Sequence, residues 1–165
     1  MSKKKLSLFF ALGIYLTTAF LCPTRTIAQT IPPFKILLSD DKIFSATDLP
    51  KGKPVILVYF DPECDHCQKL MKEFFPKMNE FRKAEIIMVT FKPVDDLIAF
   101  EKLHETSKYT NIKVGTEGNT FYLRYYYGLE KMPFTALYDK NGNFVYSYKE
   151  QTPVDDLVKR FKNLK

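Results

Sequence analysis

The chain has 165 residues, with 25 Lys plus Arg against 19 Asp plus Glu, three Cys, no Trp and a 45% hydrophobic share, the size of one globular domain. Fifteen Phe and ten Tyr supply enough large apolar side chains for a core, which excludes a disordered chain and a cysteine-stapled miniprotein. The formal charge of +6 falls to +2, with 21 basic residues against 19 acidic, once Lys3, Lys4, Lys5 and Arg25 are set aside with a leader, so the concentrated basic face that nucleic acid requires is not expected.

Residues 2–5 read SKKK, residues 6–21 form a 16-residue run without a charge, and the polar stretch PTRTIAQT follows. That is the three-part layout of a secretory signal. A membrane-spanning helix needs about 20 apolar residues, so a cleaved signal peptide over residues 1–28 is expected in preference to a lasting N-terminal membrane anchor. Thr26 and Ala28 put small residues ahead of a cut that leaves Gln29 first. Cys22 ends the apolar run and raises a lipoprotein alternative, in which this cysteine is acylated. Phe20 and Leu21 stand before it where a small residue is usual, which favours a cysteine discarded with the leader. The expectation is an exported, periplasmic protein facing an oxidising space, with one domain over residues 29–165.

FKILLS (34–39) and DKIFS (41–45) read as two short strands joined by a turn, and SATDLPKGKP as a loop. VILVYF (55–60) is an unbroken apolar run, which suits a strand buried on both faces. A helix is predicted from about Cys64 through Lys83, with Leu70, Met71, Phe74, Phe75, Met78 and Phe81 on one stripe and a kink at Pro76. EIIMVTF (85–91) is a second buried strand, VDDLIAFEKLHE a helix after Pro93, and IKVG a short strand. GNTFYLRYYYG reads as a helix ending at Gly128, and its aromatic cluster Phe121, Tyr122, Tyr125, Tyr126 and Tyr127 is assigned to core packing. FTALYD and FVYSYK flank a DKNGN turn as a hairpin, and VDDLVKRFKNL after Pro153 is a final helix with a solvated basic end. Strands alternating with helices predict an α/β three-layer sandwich with parallel strands and an antiparallel hairpin at the end.

The chemistry is concentrated in Cys64-Asp65-His66-Cys67, directly after the VILVYF strand. Two cysteines spaced this way at a helix start can close a disulfide or give two ligands to zinc. Zinc would need further ligands, and outside the leader only His66 and His104 and no other Cys are on offer, so no metal and no cofactor are expected. At the helix N-terminus, unpaired N–H groups and the helix dipole favour a thiolate at Cys64, with Cys67 one turn later and deeper. Cys64 would attack, Cys67 would resolve, and a Cys64–Cys67 disulfide would result. His66 favours a nearby thiolate and Asp65 opposes it, so redox tuning is the preferred reading of His66 over an ordinary exposed helix-start residue. His104, on an amphipathic helix, is read as structural.

In this arrangement of buried strand, CxxC, proline-bearing helix and late Met132-Pro133 before the last hairpin, the chain resembles the thioredoxin superfamily over roughly residues 34–165. Its entry segment FKILLSDDKIFSATDLPKGKPVILVYF is similar to that of exported TlpA/ResA-like thiol-disulfide oxidoreductases. The resemblance implies a mixed central sheet with helices on both faces and an N-terminal strand extension. It also implies a Cys64–Cys67 redox pair, a cis-proline at Pro133 facing that pair, and Met132 offering backbone groups to an extended substrate. Protein thiols and disulfides are the implied substrates, with a membrane or periplasmic redox partner, and a monomer is expected. The sequence departs from many thioredoxins in having Glu63 before Cys64 and Val58 where the preceding strand often carries a buried acid. Glu73 is a candidate substitute for that acid, though a solvated helix face explains it better. The CxHC pattern resembles isomerases and oxidases, while the entry segment resembles reductases. Two alternatives remain: a peroxiredoxin-type thiol peroxidase, and a copper-binding chaperone, whose usual CxxxC spacing is absent.

Overall fold

The apolar run read as a doubly buried strand lies at the heart of the sheet. In the computed structural model, which describes residues 30–164, this strand is β3 (Val55–Tyr59), and all five of its residues are buried. β4 (Glu85–Thr90) lies parallel to it on one side, and β6 (Phe134–Tyr138) antiparallel on the other. β5 (Ile112–Thr116) continues the parallel set beyond β4, and β7 (Phe144–Lys149) pairs with β6 as the terminal hairpin. The entry segment forms β1 (Lys35–Leu38) and β2 (Ile43–Ser45), an antiparallel hairpin that joins the far edge. The seven-stranded order is β2-β1-β5-β4-β3-β6-β7.

Side chains alternate across this sheet and build two cores. Ile56, Val58 and Phe60 face the layer of α1 (Asp65–Phe74), α2 (Val94–His104) and α4 (Val154–Lys162). Val55, Leu57 and Tyr59 face the opposite layer, which holds α3 (Tyr122–Tyr127) through its buried Leu123. The three-layer sandwich with helices on both faces and an N-terminal extension is therefore the observed architecture. Gly115 lets β1 close on β5, because a Cβ there would lie 2.7 Å from the Ile36 side chain.

Two expectations need correction. The helix after Cys64 does not run kinked through Pro76; α1 ends at Phe74, and residues Phe75–Phe81 continue as a 3-10 helix. Pro76 has no N–H for the Lys72 carbonyl, so the α pattern stops there. Met78 and Phe81 stay buried all the same. The aromatic cluster fills the core only in part: Tyr127 packs against it beside Phe134, while Tyr122, Tyr125 and Tyr126 are exposed, Tyr125 at 79%. A helix of under two turns turns only Leu123 fully inward. Among the described residues no helix is long and apolar enough to cross a membrane. The signal peptide over 1–28, the cut after Ala28 and the alternatives at Cys22 fall outside the described residues.

Candidate functional site

β3 delivers the chain to the site, and its last rung, Phe60 N–H to the Val89 carbonyl at 2.9 Å, leaves the next residues free to turn. Asp61-Pro62-Glu63-Cys64 is that turn: Cys64 N–H bonds the Asp61 carbonyl at 3.1 Å, with Pro62 at the position where its fixed φ suits a β-turn. The Asp61 side chain reinforces it, Oδ1 accepting Glu63 N–H at 2.9 Å. Cys64 thereby becomes the N-cap of α1, extended at φ −80° and ψ 126°, and its carbonyl accepts Gln68 N–H at 2.9 Å.

The two cysteines, both thiols in this structure, occupy unlike environments. Cys64 is partly exposed, and its Sγ lies 3.8 Å from the Met132 carbonyl as donor. Cys67 is 1% exposed and accepts Asp61 N–H on its sulfur at 3.4 Å. Burial pushes the Cys67 thiol far above its usual range; the Asp61 N–H offsets part of this, while Cys64 and the Asp61 carboxylate add to it.

Facing Cys64 is the loop before β6, where the Met132-Pro133 peptide is cis. Glu150 N–H donates to the Pro133 carbonyl at 2.9 Å, and the buried Thr135 and Thr152 hydroxyls bond each other at 2.8 Å. Met132 packs against both cores. Four of the residues singled out from sequence, Cys64, Cys67, Met132 and Pro133, therefore surround one point at the C-terminal end of β3.

The model of the thioredoxin-like domain family matches residues 47–165. The chain belongs to this family. Solved structures of similar fold include the pneumococcal exposed lipoprotein thioredoxin of Streptococcus pneumoniae, at 21% identity and TM-score 0.61 over 81% of this chain and 100% of that one. A secreted disulfide oxidoreductase of Mycobacterium tuberculosis aligns at 17% identity and TM-score 0.64, over 80% of this chain and 96% of its own. A peroxidoxin of the same organism aligns at 12% identity and TM-score 0.69, covering 84% and 97%. These identities establish a shared fold. No curated protein matches the chain.

The remaining residues singled out from sequence lie around the thioredoxin-like dithiol at greater distance. Asp65 and His66 are exposed on the first turn of α1, and His66 lines a hollow of about 300 Å³ together with Glu73, Gln151 and Pro153. Glu73 is exposed there, as a helix-face residue would be. On the other side of α1 a groove of about 370 Å³ runs between α1 and α2, with Cys67, Met71 and Phe100 in its walls. His104 borders this groove, stacked on Phe75 at 4.5 Å, and burial pulls its pKa below the usual histidine value. Among the described residues no cluster of three or more His, Cys, Asp or Glu is placed to hold a metal ion.

The structure also brings in residues that sequence reasoning passed over. Lys92, from the turn after β4, pairs with Glu63 and lies 3.7 Å from Asp61 Oδ1. Glu117, at the end of β5, is buried in the opposite layer, where it accepts the Tyr59 hydroxyl at 2.7 Å and Leu123 N–H at 2.8 Å. An acid followed by Gly118 reads as an ordinary loop residue, and only the topology brings it to Tyr59.

Proposed function

We propose that the protein is an exported thiol-disulfide oxidoreductase of the TlpA/ResA-like kind, exchanging disulfides with protein cysteines through Cys64 and Cys67. The observation that carries this reading is the asymmetry of the pair, an accessible sulfur at a helix N-terminus and a buried one a turn away. In the reducing direction the Cys64 thiolate attacks one sulfur of a substrate disulfide. That S–S bond breaks, a Cys64–substrate disulfide forms, and the other substrate sulfur leaves as a thiolate and takes a proton. Cys67, as thiolate, then attacks Cys64 Sγ and releases the second substrate thiol. The protein's dithiol has lost two electrons and the substrate disulfide has gained them; the reverse sequence delivers a disulfide.

The Met132 backbone and Pro133 flank an extended substrate at Cys64, while His66 and Asp65 bias the thiolate in opposite senses. The exposed tyrosines of α3 and the nearby Phe121 and Phe91 offer apolar footing for an unfolded polypeptide. The protein works as a monomer, and a membrane or periplasmic thiol-disulfide partner restores its starting redox state.

Cys64→Ser is expected to abolish turnover of a disulfide-bonded protein substrate, and Cys67→Ser to accumulate mixed disulfides visible by mass spectrometry. Full activity in Cys64→Ser would overturn the proposal. The reduction potential of the pair assigns direction: a value near about −270 mV marks a reductase, and one near about −120 to −180 mV an oxidase or isomerase. Peroxide consumption far faster than that of a free thiol would instead mark a peroxidase.

A further inference from the structure

We propose that Asp61 takes the proton from Cys67 when this buried thiol attacks the mixed disulfide, an assignment that rests on the dithiol reading above. The need for such a group follows from the site. Only a thiolate attacks a disulfide, yet Cys67 is 1% exposed and its surroundings hold it protonated.

Three other carboxylates, Glu85, Glu117 and Glu73, are badly placed for the task. Val58, fully buried on the α1 face of β3, brings no acid to that layer. Glu85 is buried but pairs in register with Val55, at the end of the sheet remote from the cysteines, with Lys53 as its partner. Glu117 lies in the other layer with one oxygen on Tyr59 and the other on Leu123. Glu73 is exposed, six residues beyond Cys67 along α1.

Asp61 differs from all of these. Its side chain is 18% exposed, and its own N–H lies 3.4 Å from Cys67 Sγ. The turn fixed by Pro62 and by the Glu63 N–H to Oδ1 bond holds the carboxylate against the start of α1. Among the described residues Oδ2 has no protein donor, which leaves that oxygen to receive a proton directly or through one water. The charged and titratable groups around it are Cys64 and Cys67 on α1, Tyr59 on β3, Glu63 in its own turn, Lys92 after β4, and Asp96 on α2 acting through Lys92. Lys92, 3.7 Å away, is the nearby counter-charge.

The step balances. The Cys67 S–H proton passes to the Asp61 carboxylate as Cys67 Sγ bonds Cys64 Sγ and the Cys64–substrate S–S bond breaks. The departing substrate thiolate is protonated by the Asp61 carboxylic acid or by solvent, and Asp61 returns to its starting form.

Rapid mixing of the reduced protein with a chromogenic bis(nitrobenzoate) disulfide separates the two steps, since one coloured thiolate leaves as Cys64 attacks and a second as Cys67 resolves. With a carboxylate receiving the Cys67 proton, the second phase in the unaltered protein is expected to be flat between about pH 6 and 8. Asp61→Asn, which still accepts the Glu63 N–H, should slow that phase roughly a hundredfold at pH 7 and make it rise about tenfold per pH unit, a far larger change than any in the first phase. A second phase that already rises tenfold per unit in the unaltered protein overturns the assignment without any variant. So does an Asp61→Asn protein that resolves at the original rate. Absence of the first release would remove the dithiol reading and this assignment with it.

Discussion

Tyr59→Phe is a sharp test of how the two layers are tied together next to the site. Tyr59 is fully buried on β3, and its hydroxyl donates to Glu117 Oε1 at 2.7 Å, while Glu117 Oε2 accepts the N–H of Leu123 in the first turn of α3. The substitution removes one hydrogen bond to a charged group without changing the ring, a loss of about 1.5–3 kcal/mol. Glu117→Ala should cost more, because it orphans two buried donors at about 1–3 kcal/mol each. For a domain of this size each kcal/mol lowers Tm by about 3–5 °C, so Tyr59→Phe should melt roughly 5–15 °C lower. Urea unfolding at pH 7, followed by circular dichroism, measures both variants and the double mutant, and a coupling energy above about 1 kcal/mol is expected between the two sites. A Tyr59→Phe protein within about 0.5 kcal/mol of the original, with no coupling to Glu117, would refute the tether.

Burial pushes Tyr138 up to about 12 and holds Tyr59, Tyr127 and Tyr148 above the usual phenol range as well. In the unfolded chain these phenols ionise near pH 10, so their contribution is complete below that pH and falls above it by up to about 1.4 kcal/mol per tyrosine per pH unit. Urea midpoints collected from about pH 9 to 11 should drop steeply, and a flat series would contradict the burial. His104 has the opposite dependence: its pKa is lowered by burial, so stability is present above about pH 6.5 and declines as acid protonates the unfolded chain first. His104→Leu should flatten the stability slope between about pH 7.5 and 5.5, read from the same urea midpoints. Gly115→Ala drives a methyl to within 2.7–2.9 Å of Ile36, and a loss of about 1–3 kcal/mol is expected in thermal melts.

Local patterns carried the parts of this fold that depend on local physics. The unbroken apolar runs at Val55 and Ile86 announced strands covered on both faces, and both lie at the centre of the sheet. The alternation of strands and helices, with a hairpin after Met132-Pro133, likewise matches the topology. Periodicity misread the segment beyond Phe74 because the same apolar spacing serves an α-helix and a 3-10 helix while both press on the core, and Pro76 decides between them. Composition misread α3, because aromatic content does not reveal that a six-residue helix buries Leu123 and leaves Tyr125 in solvent. At the site, Cys64, Cys67, Met132 and Pro133 were legible from motif and order. Lys92 and Glu117 were not, since their partners lie as far as 58 residues away and only the sheet brings them within reach, and Asp61 was not, because the tight turn that sets its N–H on Cys67 is not written in composition or periodicity.

Met132 sends its side chain into the packing of both layers, while its carbonyl stands 3.8 Å from the Cys64 sulfur. It works like a rivet through two plates. A loop pinned in this way cannot relax independently of the sheet, so the carbonyl seen by Cys64 follows whatever the interior does on either side. Variation at Leu137 in one core or Phe134 in the other should therefore appear as altered reactivity of a surface sulfur before it appears as loss of fold. The thiol reports on the integrity of the interior, and alkylation rates at Cys64 provide a way to read it.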